Sequence, residues 1–437
     1  MNVPAADLKW LKPLAEFFFG LAFFASACPA HGDEMEAAPT TLTGGWSART
    51  KLASHGVAPF ATLTGEFWGN AAGGLQTGAQ GDTQLDFGVQ LDTAKLGGWP
   101  GGSFLAEFHW LQIFGHGCFA EKTGAANPVS GLIAADHFRL FNLYYRQSWK
   151  NDAVIFKTGQ IAVDDDFMRS DYAGLFLNSA FGAMPSQTGT RLAACCGYEP
   201  PFPMYPVAGP GAFVSVKPSG EIDLQAGVYD GQPGTDTESN HGFDWSLRDE
   251  TGIGVFYEGD LAYAIEKHAG TFRLGGTYHS GLFDDYARIN AGFSDAAKNG
   301  IHSFYAVNDF ALLAPDTGKT VLGLFTRAGI SPQTDRSIVT VYADAGLNWF
   351  APLPGRDNDV AGIAFSWTKF SGDFRRAPGS GGVPASQSAL ELTYSAQATR
   401  WLTLQADAQF LFNPVAVSNS SSGETAVVLG LRAVIKF

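Results

Sequence analysis

Residues Val427 to Phe437 read VVLGLRAVIKF, with apolar residues at every second place: Leu429, Leu431, Ala433, Ile435 and Phe437. Gly430, Arg432 and Lys436 fall between them. A strand points successive side chains to opposite faces, so one face here is apolar and the other carries charge. The same alternation recurs upstream. Leu85, Phe87, Val89 and Leu91 alternate with Gln84, Asp86, Gln90 and Asp92. Val339, Val341, Ala343, Ala345, Leu347 and Trp349 alternate with Thr340, Asp344 and Asn348. Leu402, Leu404, Ala406, Ala408, Phe410 and Phe412 alternate with Thr403, Gln405, Asp407 and Gln409.

Turn-forming stretches separate these runs: GGWPGG at 97–102, PLPGRDND at 352–359, APGSGGVP at 377–384 and NSSSG at 419–423. The runs have the roughly ten-residue length that a tilted membrane-crossing strand requires. Lipid leaves an open sheet edge unsatisfied, so such strands must close on themselves. The expectation is an all-β, antiparallel transmembrane barrel, at about 25 residues per strand and connection about 16 strands. Its apolar face, Phe437 included, would meet lipid, and Arg432 and Lys436 would face a water-filled lumen. Trp68, Trp149, Trp349, Trp367 and Trp401 are candidates for the aromatic girdles at the two interfaces.

Composition agrees. Charged residues are 16% of the 437, below the usual quarter or so, and Gly is abundant at 53 residues. That combination suits many strands joined by tight turns. The balance of 28 basic against 42 acidic residues, net −14, excludes nucleic acid as a partner, because phosphate binding needs clustered Lys and Arg.

Lys9 and Lys12 precede an uncharged run at 17–27, FFFGLAFFASA, and small residues follow. This reads as a secretory signal peptide over 1–30, cleaved after Ala27 or Ala30. Residues 31–56 form an N-terminal periplasmic arm, in which WSARTKLASHG (46–56) is expected to make a short helix ended by Gly56. The barrel then occupies 57–437. Three cysteines remain after the signal, Cys118, Cys195 and Cys196, and a bridge from Cys118 to one of the adjacent pair is the pairing to test.

No G-x-S-x-G elbow, H-E-x-x-H pair or phosphate-cradling Gly loop occurs. His109 and His279 fall on polar-face positions without a nearby nucleophile arrangement. No enzyme chemistry and no cofactor are expected. The segment that breaks the alternation is 159–182, GQIAVDDDFMRSDYAGLFLNSAFG. Asp164, Asp165, Asp166 and Asp171 could ligate calcium, but EF-hand spacing is absent and an acidic solvated turn is the simpler reading. Tyr172, Leu175, Phe176, Leu177 and Phe181 are too apolar for a free loop and are expected to pack on the barrel's inner wall.

This segment resembles the carbohydrate-selective porin family of Gram-negative outer membranes, the OprB type. The matching residues are Gly159, Gln160, Asp164, Phe167, Ser170, Asp171, Tyr172, Ala173, Leu175, Phe176, Asn178, Ser179, Phe181 and Gly182. Shorter similar stretches run from about Trp46 to Phe437. Asn142 and Arg146 stand where relatives tend to have a carboxylate. The resemblance implies a 16-stranded outer-membrane channel that passes glucose and other sugars down their gradients, with loops folded inward to constrict it.

A neutral polyol crossing a constriction needs paired donors and acceptors, which Asn142, Arg146, Asp164 and Asn178 offer. Tyr144 and Phe176 are candidates for stacking on sugar rings. Asp165, Asp166, Asp171 and Arg327 complete the expected pore lining. The implied partners are small neutral sugars, outer-membrane lipid and lipopolysaccharide, the barrel-assembly machinery through Phe437, and a further copy of the chain in a homo-oligomer. A general or anion-preferring porin, the latter with Arg146, Arg273, Arg327 and Arg432 as its cations, is the rival in the same class.

Overall fold

The computed structural model describes residues 41–115, 118–188, 200–235, 237, 239–247, 251–294, 296–315, 320–380, 382–414 and 424–437. The signal-peptide region, most of the arm before residue 41, Cys195 and Cys196 lie outside the described residues.

Sixteen strands close into one antiparallel barrel. They are β1 (Val57–Gly74), β2 (Gly78–Asp92), β3 (Gly102–Phe114), β4 (His137–Trp149), β5 (Val154–Ile161), β6 (Gly209–Val216), β7 (Ile222–Asp230) and β8 (Ile253–Ile265). The second half comprises β9 (His268–Asp284), β10 (Ala297–Leu313), β11 (Leu322–Ile330), β12 (Val339–Phe350), β13 (Val360–Phe370), β14 (Ser386–Gln397), β15 (Leu402–Phe412) and β16 (Glu424–Lys436). Each strand pairs with its sequence neighbours, and β1 pairs with β16 in a register that sets Glu66 opposite Arg432 and Phe67 opposite Leu431. The VVLGLRAVIKF run is therefore the seam that closes the wall.

The alternation sorts as the period of two dictates. Exposed large apolar residues form the outer face, among them Phe104, Leu224, Leu274, Ile363, Leu392, Leu404 and Leu429. The polar set faces inward and is largely covered, including Glu66, Glu258, Asp309, Arg327, Glu391 and Gln409. Trp99, Trp149 and Trp349 are about half exposed at strand ends, as girdle residues are. Leu429 lies mid-strand on the outer face. Leu429→Arg is expected to cost about 2–4 kcal/mol near the bilayer midplane, read as a lowered midpoint in urea-induced release from liposomes.

Two sequence expectations fail here. Trp68 is not in a girdle: it is fully buried on the inward side, its indole N–H donating to Glu66 at 2.9 Å. Phe437 does not face lipid: it is fully buried. The N-terminal segment reaches over the end of β16, where the Leu42 N–H donates to the Lys436 carbonyl at 3.0 Å. Arg49, on helix α1 (Ser47–Ser54), donates to the backbone oxygen of Phe437. Gly56 ends the chain's turn out of that helix at φ +85°, where a Cβ would come within 2.9 Å of Asp92 O.

Connections at the end where β1 begins and β16 finishes include the short links at 150–153 and 266–267. The longest connections, 115–136, 162–208 and 231–252, lie at the opposite end. Short periplasmic turns and long outer loops are the barrel convention.

Candidate channel constriction

Two of the long connections run along the inward face and are tied to it. The first, 118–136, begins at Cys118, which is disulfide-bonded to a partner outside the described residues. Helix α2 (Phe119–Thr123) follows, and its Phe119 lies against the Trp68 ring, centres 6.5 Å apart, in a buried cluster with Val129, Leu177 and Leu411. Ala126 N–H donates to Gln387 at 2.9 Å, Asn127 donates to Thr368 at 3.0 Å, and Gln409 donates to the Val129 carbonyl at 2.8 Å. Arg432, already paired with Glu66, donates to Ser130 at 3.2 Å.

The second strap, from 162 onward, holds the segment that breaks the strand alternation, and its anchors follow the wall from β5 to β14 before the strap returns to β11. Lys157 pairs with Asp166. The Met168 N–H donates to Glu258 on β8 at 3.1 Å. Ser170 Oγ and the Asp171 N–H both donate to Asp309 on β10, at 2.5 and 3.0 Å. Asn348 on β12 donates to the Tyr172 carbonyl at 2.9 Å. Glu391 on β14 accepts from the N–H groups of Leu177 and Asn178, at 2.6 and 3.0 Å. Arg327 on β11 donates to the carbonyls of Ala180 and Gly182, at 2.9 and 2.7 Å, and pairs with Asp344. The two straps also join each other: Gly131 N–H donates to Leu177 O at 3.0 Å, and Ser179 N–H to Pro128 O at 2.9 Å.

The apolar residues of the strap sit where the wall has no side chains. A Cβ on Gly362 would come within 2.7 Å of Leu175 and 2.8 Å of Phe176, and one on Gly323 within 2.7 Å of the Tyr172 ring. Phe176 packs on Phe181 and Phe325 with ring centres 5.2 and 5.6 Å apart. Glycines on the inward face of β11 and β13 therefore make the seats that the strap's rings fill. They are functional positions that single-strand periodicity does not reveal.

The expected lining residues divide accordingly. Phe176 is 6% exposed, Asn178 1% and Arg327 3%, and each is engaged by protein. The expectation that Phe176 stacks on a sugar and that Asn178 and Arg327 line the bore does not hold, because these groups fix the strap to the wall. Asn142 is also fully buried, its amide donating to Glu107 at 2.8 Å and to Asp165 at 3.2 Å. Arg146 lies by the 150–153 turn, paired with Asp152 at 3.0 Å, away from the straps. One face of Tyr144 is covered by Lys157, whose ammonium lies 5.0 Å from the ring centre. Asp164, Asp165 and Asp166 form the single turn 163–166 and are partly exposed, and Asp171 has a side chain 63% exposed, 3.6 Å from Arg273. Among the described residues no three His, Cys, Asp or Glu side chains are grouped so that they could hold a metal ion. Glu258, Arg273, Asp309, Glu391 and Gln409 are the anchors that sequence reasoning passed over. They read as ordinary polar-face residues until the register places them opposite the strap.

Burial lifts the Asp164 carboxyl to about 7, with the neighbouring Asp165 charge reinforcing the rise. The folded segment thus holds a proton that the unfolded chain releases near its ordinary value of about 3.9. Its contribution is fully present below about pH 4, falls as pH rises and is lost above about pH 7. Amides of 163–168, corrected for intrinsic exchange, are expected to be better protected at low than at high pH, by about 4 kcal/mol. Asp164→Asn should flatten that dependence.

The described geometry is matched by known proteins. Residues 76–437 match the model of the family described as carbohydrate-selective porin, OprB family. Porin B of Pseudomonas aeruginosa is 23% identical over 428 residues, spanning 90% of each chain. The high-pH structure of Pseudomonas putida OprB superposes with a TM-score of 0.78 at 20% identity, covering 93% of this chain and all of that one. The low-pH structure of the same protein gives 0.58 at 16% identity over 95% and 100%. Family and fold together make this chain a sugar-selective channel of a Gram-negative outer membrane and not an enzyme. It belongs to the carbohydrate-selective porin, OprB family.

Proposed function

We propose that the channel passes glucose and other small neutral sugars and polyols by passive diffusion, through a bore that the two straps narrow. The observation that carries this reading is a pair of exposed groups of opposite kind on the strap. Arg169 supplies donors, and Asp171, two residues on, supplies acceptors. A polyol exchanges water hydrogen bonds for both kinds, and conduction requires that the exchange stay weak. Tyr144 and Asp165 adjoin this passage. An anion-preferring pore is disfavoured, because Arg146, Arg273, Arg327 and Arg432 each face a carboxylate.

The signal peptide at 1–30, the periplasmic arm at 31–56 and the barrel at 57–437 complete this reading. So do contact with lipopolysaccharide, assembly into a homo-oligomer and recognition of Phe437 by the assembly machinery before Arg49 covers it. Swelling of proteoliposomes in glucose, in a neutral polyol and in a zwitterionic amino acid of matched size tests the function. Faster entry of the sugars is expected, and equal rates for all three would overturn sugar selectivity.

A further inference from the structure

One stretch of the third long connection, 239–247, folds the other way from the straps, onto the outside of the wall. The wall is short there. β5 and β6 have eight residues each, under the roughly 9–11 that a tilted strand needs to cross the bilayer, whereas β3 and β4 have thirteen each. β5 stops at Ile161, where the second strap turns inward, and its pairing with β4 ends at Gln160 opposite Leu143. The outer part of β4, from His137 to Asn142, thus extends past its β5 partner. Lipid cannot satisfy the strand edge this leaves.

Residues 239–247 occupy that edge. The Leu140 N–H donates to the His241 carbonyl at 2.9 Å, and His241 Nδ1 donates to the Phe138 carbonyl at 2.8 Å. Gly242, at φ +79°, permits this approach, since a Cβ there would lie 2.1 Å from Leu140 O. The Gln160 amide donates to the carbonyls of Leu140 and Phe141, at 2.9 Å each. Gln160 is on the outward face, opposite Leu143, which is 39% exposed. A bare amide would be costly against lipid. Gln160 is instead 3% exposed, and its oxygen accepts from the Trp245 indole N–H at 2.7 Å.

The sequence FDWSL at 243–247 repeats the wall's own period of two. Phe243, Trp245 and Leu247 are 52%, 52% and 70% exposed, while Asp244 accepts from the Ser246 N–H at 3.0 Å. The Phe243 and Trp245 rings meet edge to face at 6.1 Å. The His241 ring lies 6.5 Å from Phe138, which stacks on Phe87 and Phe108 of the outer face. The patch is therefore continuous with the lipid-facing band. Its indole donor is already bound within the protein, so Trp245 presents only apolar surface. We propose that 239–247 is a membrane-embedded part of the wall, completing it beyond the short β5 and β6. Phe243, Trp245 and Leu247 are immersed among the acyl chains of the outer leaflet, and the segment is an anchor in lipid, not an external loop in water. The proposal concerns the wall and holds whichever solute the channel passes.

The test is photolabelling of the full chain in phosphatidylcholine vesicles, a fraction of whose lipid carries a diazirine in one acyl chain, followed by peptide mapping. Hydroxyl-radical oxidation of the same vesicles is run in parallel. Phe156, Val214 and Val228, outward residues of β5, β6 and β7, are the internal reference for lipid contact. Label per apolar residue on 243–247 should come within about twofold of that reference, as expected of one continuous apolar band. Trp245 should be oxidised little. Labelled reference peptides with no label on 243–247 would overturn the proposal. Strong oxidation of Trp245 in that case would place the segment in water. Protection of Trp245, with copies of the chain cross-linked through 239–247, would instead assign the patch to a second copy.

Discussion

Arg327→Ala is expected to free the second strap from β11 and leave a wider, noisier channel that no longer favours sugars. One guanidinium makes both connections there: it binds the carbonyls of Ala180 and Gly182 on the strap and pairs with Asp344 on the adjacent strand. Its side chain is 1% exposed and that of Asp344 is fully buried, so the pair is not screened as a surface bridge would be. Removing one partner leaves Asp344 charged and buried and the Gly182 carbonyl without its donor, while the Ala180 carbonyl keeps only the Tyr342 hydroxyl at 2.7 Å, a loss of about 3–5 kcal/mol. Asp344 also lies 2.6 Å from the Tyr342 hydroxyl, which cannot neutralise it. The sixteen strands carry their own ladders, so the loss should fall on the strap. Single-channel conductance should rise, and the rates for sugars and size-matched amino acids should converge in swelling. Arg327→Lys keeps the charge but lacks the planar fork that reaches strap and carboxylate together, and should recover only part of the selectivity. An alanine variant with unchanged conductance would show that the strap does not depend on this anchor.

How far the sequence revealed this arrangement depends on which kind of contact holds each residue. The barrel was legible because its residues alternate with a period of two, and lipid outside with water inside converts that period directly into faces. Leu429 is exposed and Arg432 turns inward to Glu66, as VVLGLRAVIKF alone implies. The inward packing of Tyr172, Leu175, Phe176 and Phe181 was also legible, because so many rings cannot remain in water. Their partners were not. Asn178 and Phe176 look like groups that could greet a sugar, yet their seats are Glu391, Gln409 and Gly362, more than 180 positions away and fixed only by strand register. Phe437 misled for a similar reason. Its parity points to lipid, but parity says nothing of Arg49 and Leu42, which come back over the strand end. Strap anchors are mostly backbone N–H and C=O groups, which every residue possesses, so they leave no mark in the sequence.

The same logic makes Glu391 the other position where a single change should have a large effect. Its carboxylate is fully buried and accepts from two consecutive strap amides, Leu177 and Asn178. The strap must turn there, since Asn178 next donates through its side chain to Gln409 at 2.9 Å and caps the Ala180 N–H at 3.0 Å. Glu391→Ala leaves two buried donors unmatched at ~1–3 kcal/mol each, about 2–6 kcal/mol together. Hydrogen exchange at Leu177 and Asn178 should accelerate by the corresponding factor, while amides in β14 and β15 keep their protection. Glu391→Gln separates charge from shape. It retains one oxygen to accept from a strap N–H but presents an amide donor to the other, so it should lose roughly one bond's worth, about 1–3 kcal/mol. The two anchors also differ in what their loss does to the lumen. Arg327→Ala removes a cation from a neutral pair and so adds negative charge inside, whereas Glu391→Ala removes a carboxylate from the wall. If strap release alone governs permeation, both variants should widen the channel alike, and Arg327→Ala, which strips Asp344 of its cation, should in addition shift the reversal potential under a salt gradient toward cations. Equal reversal potentials would mean that these buried charges are invisible to ions in the bore.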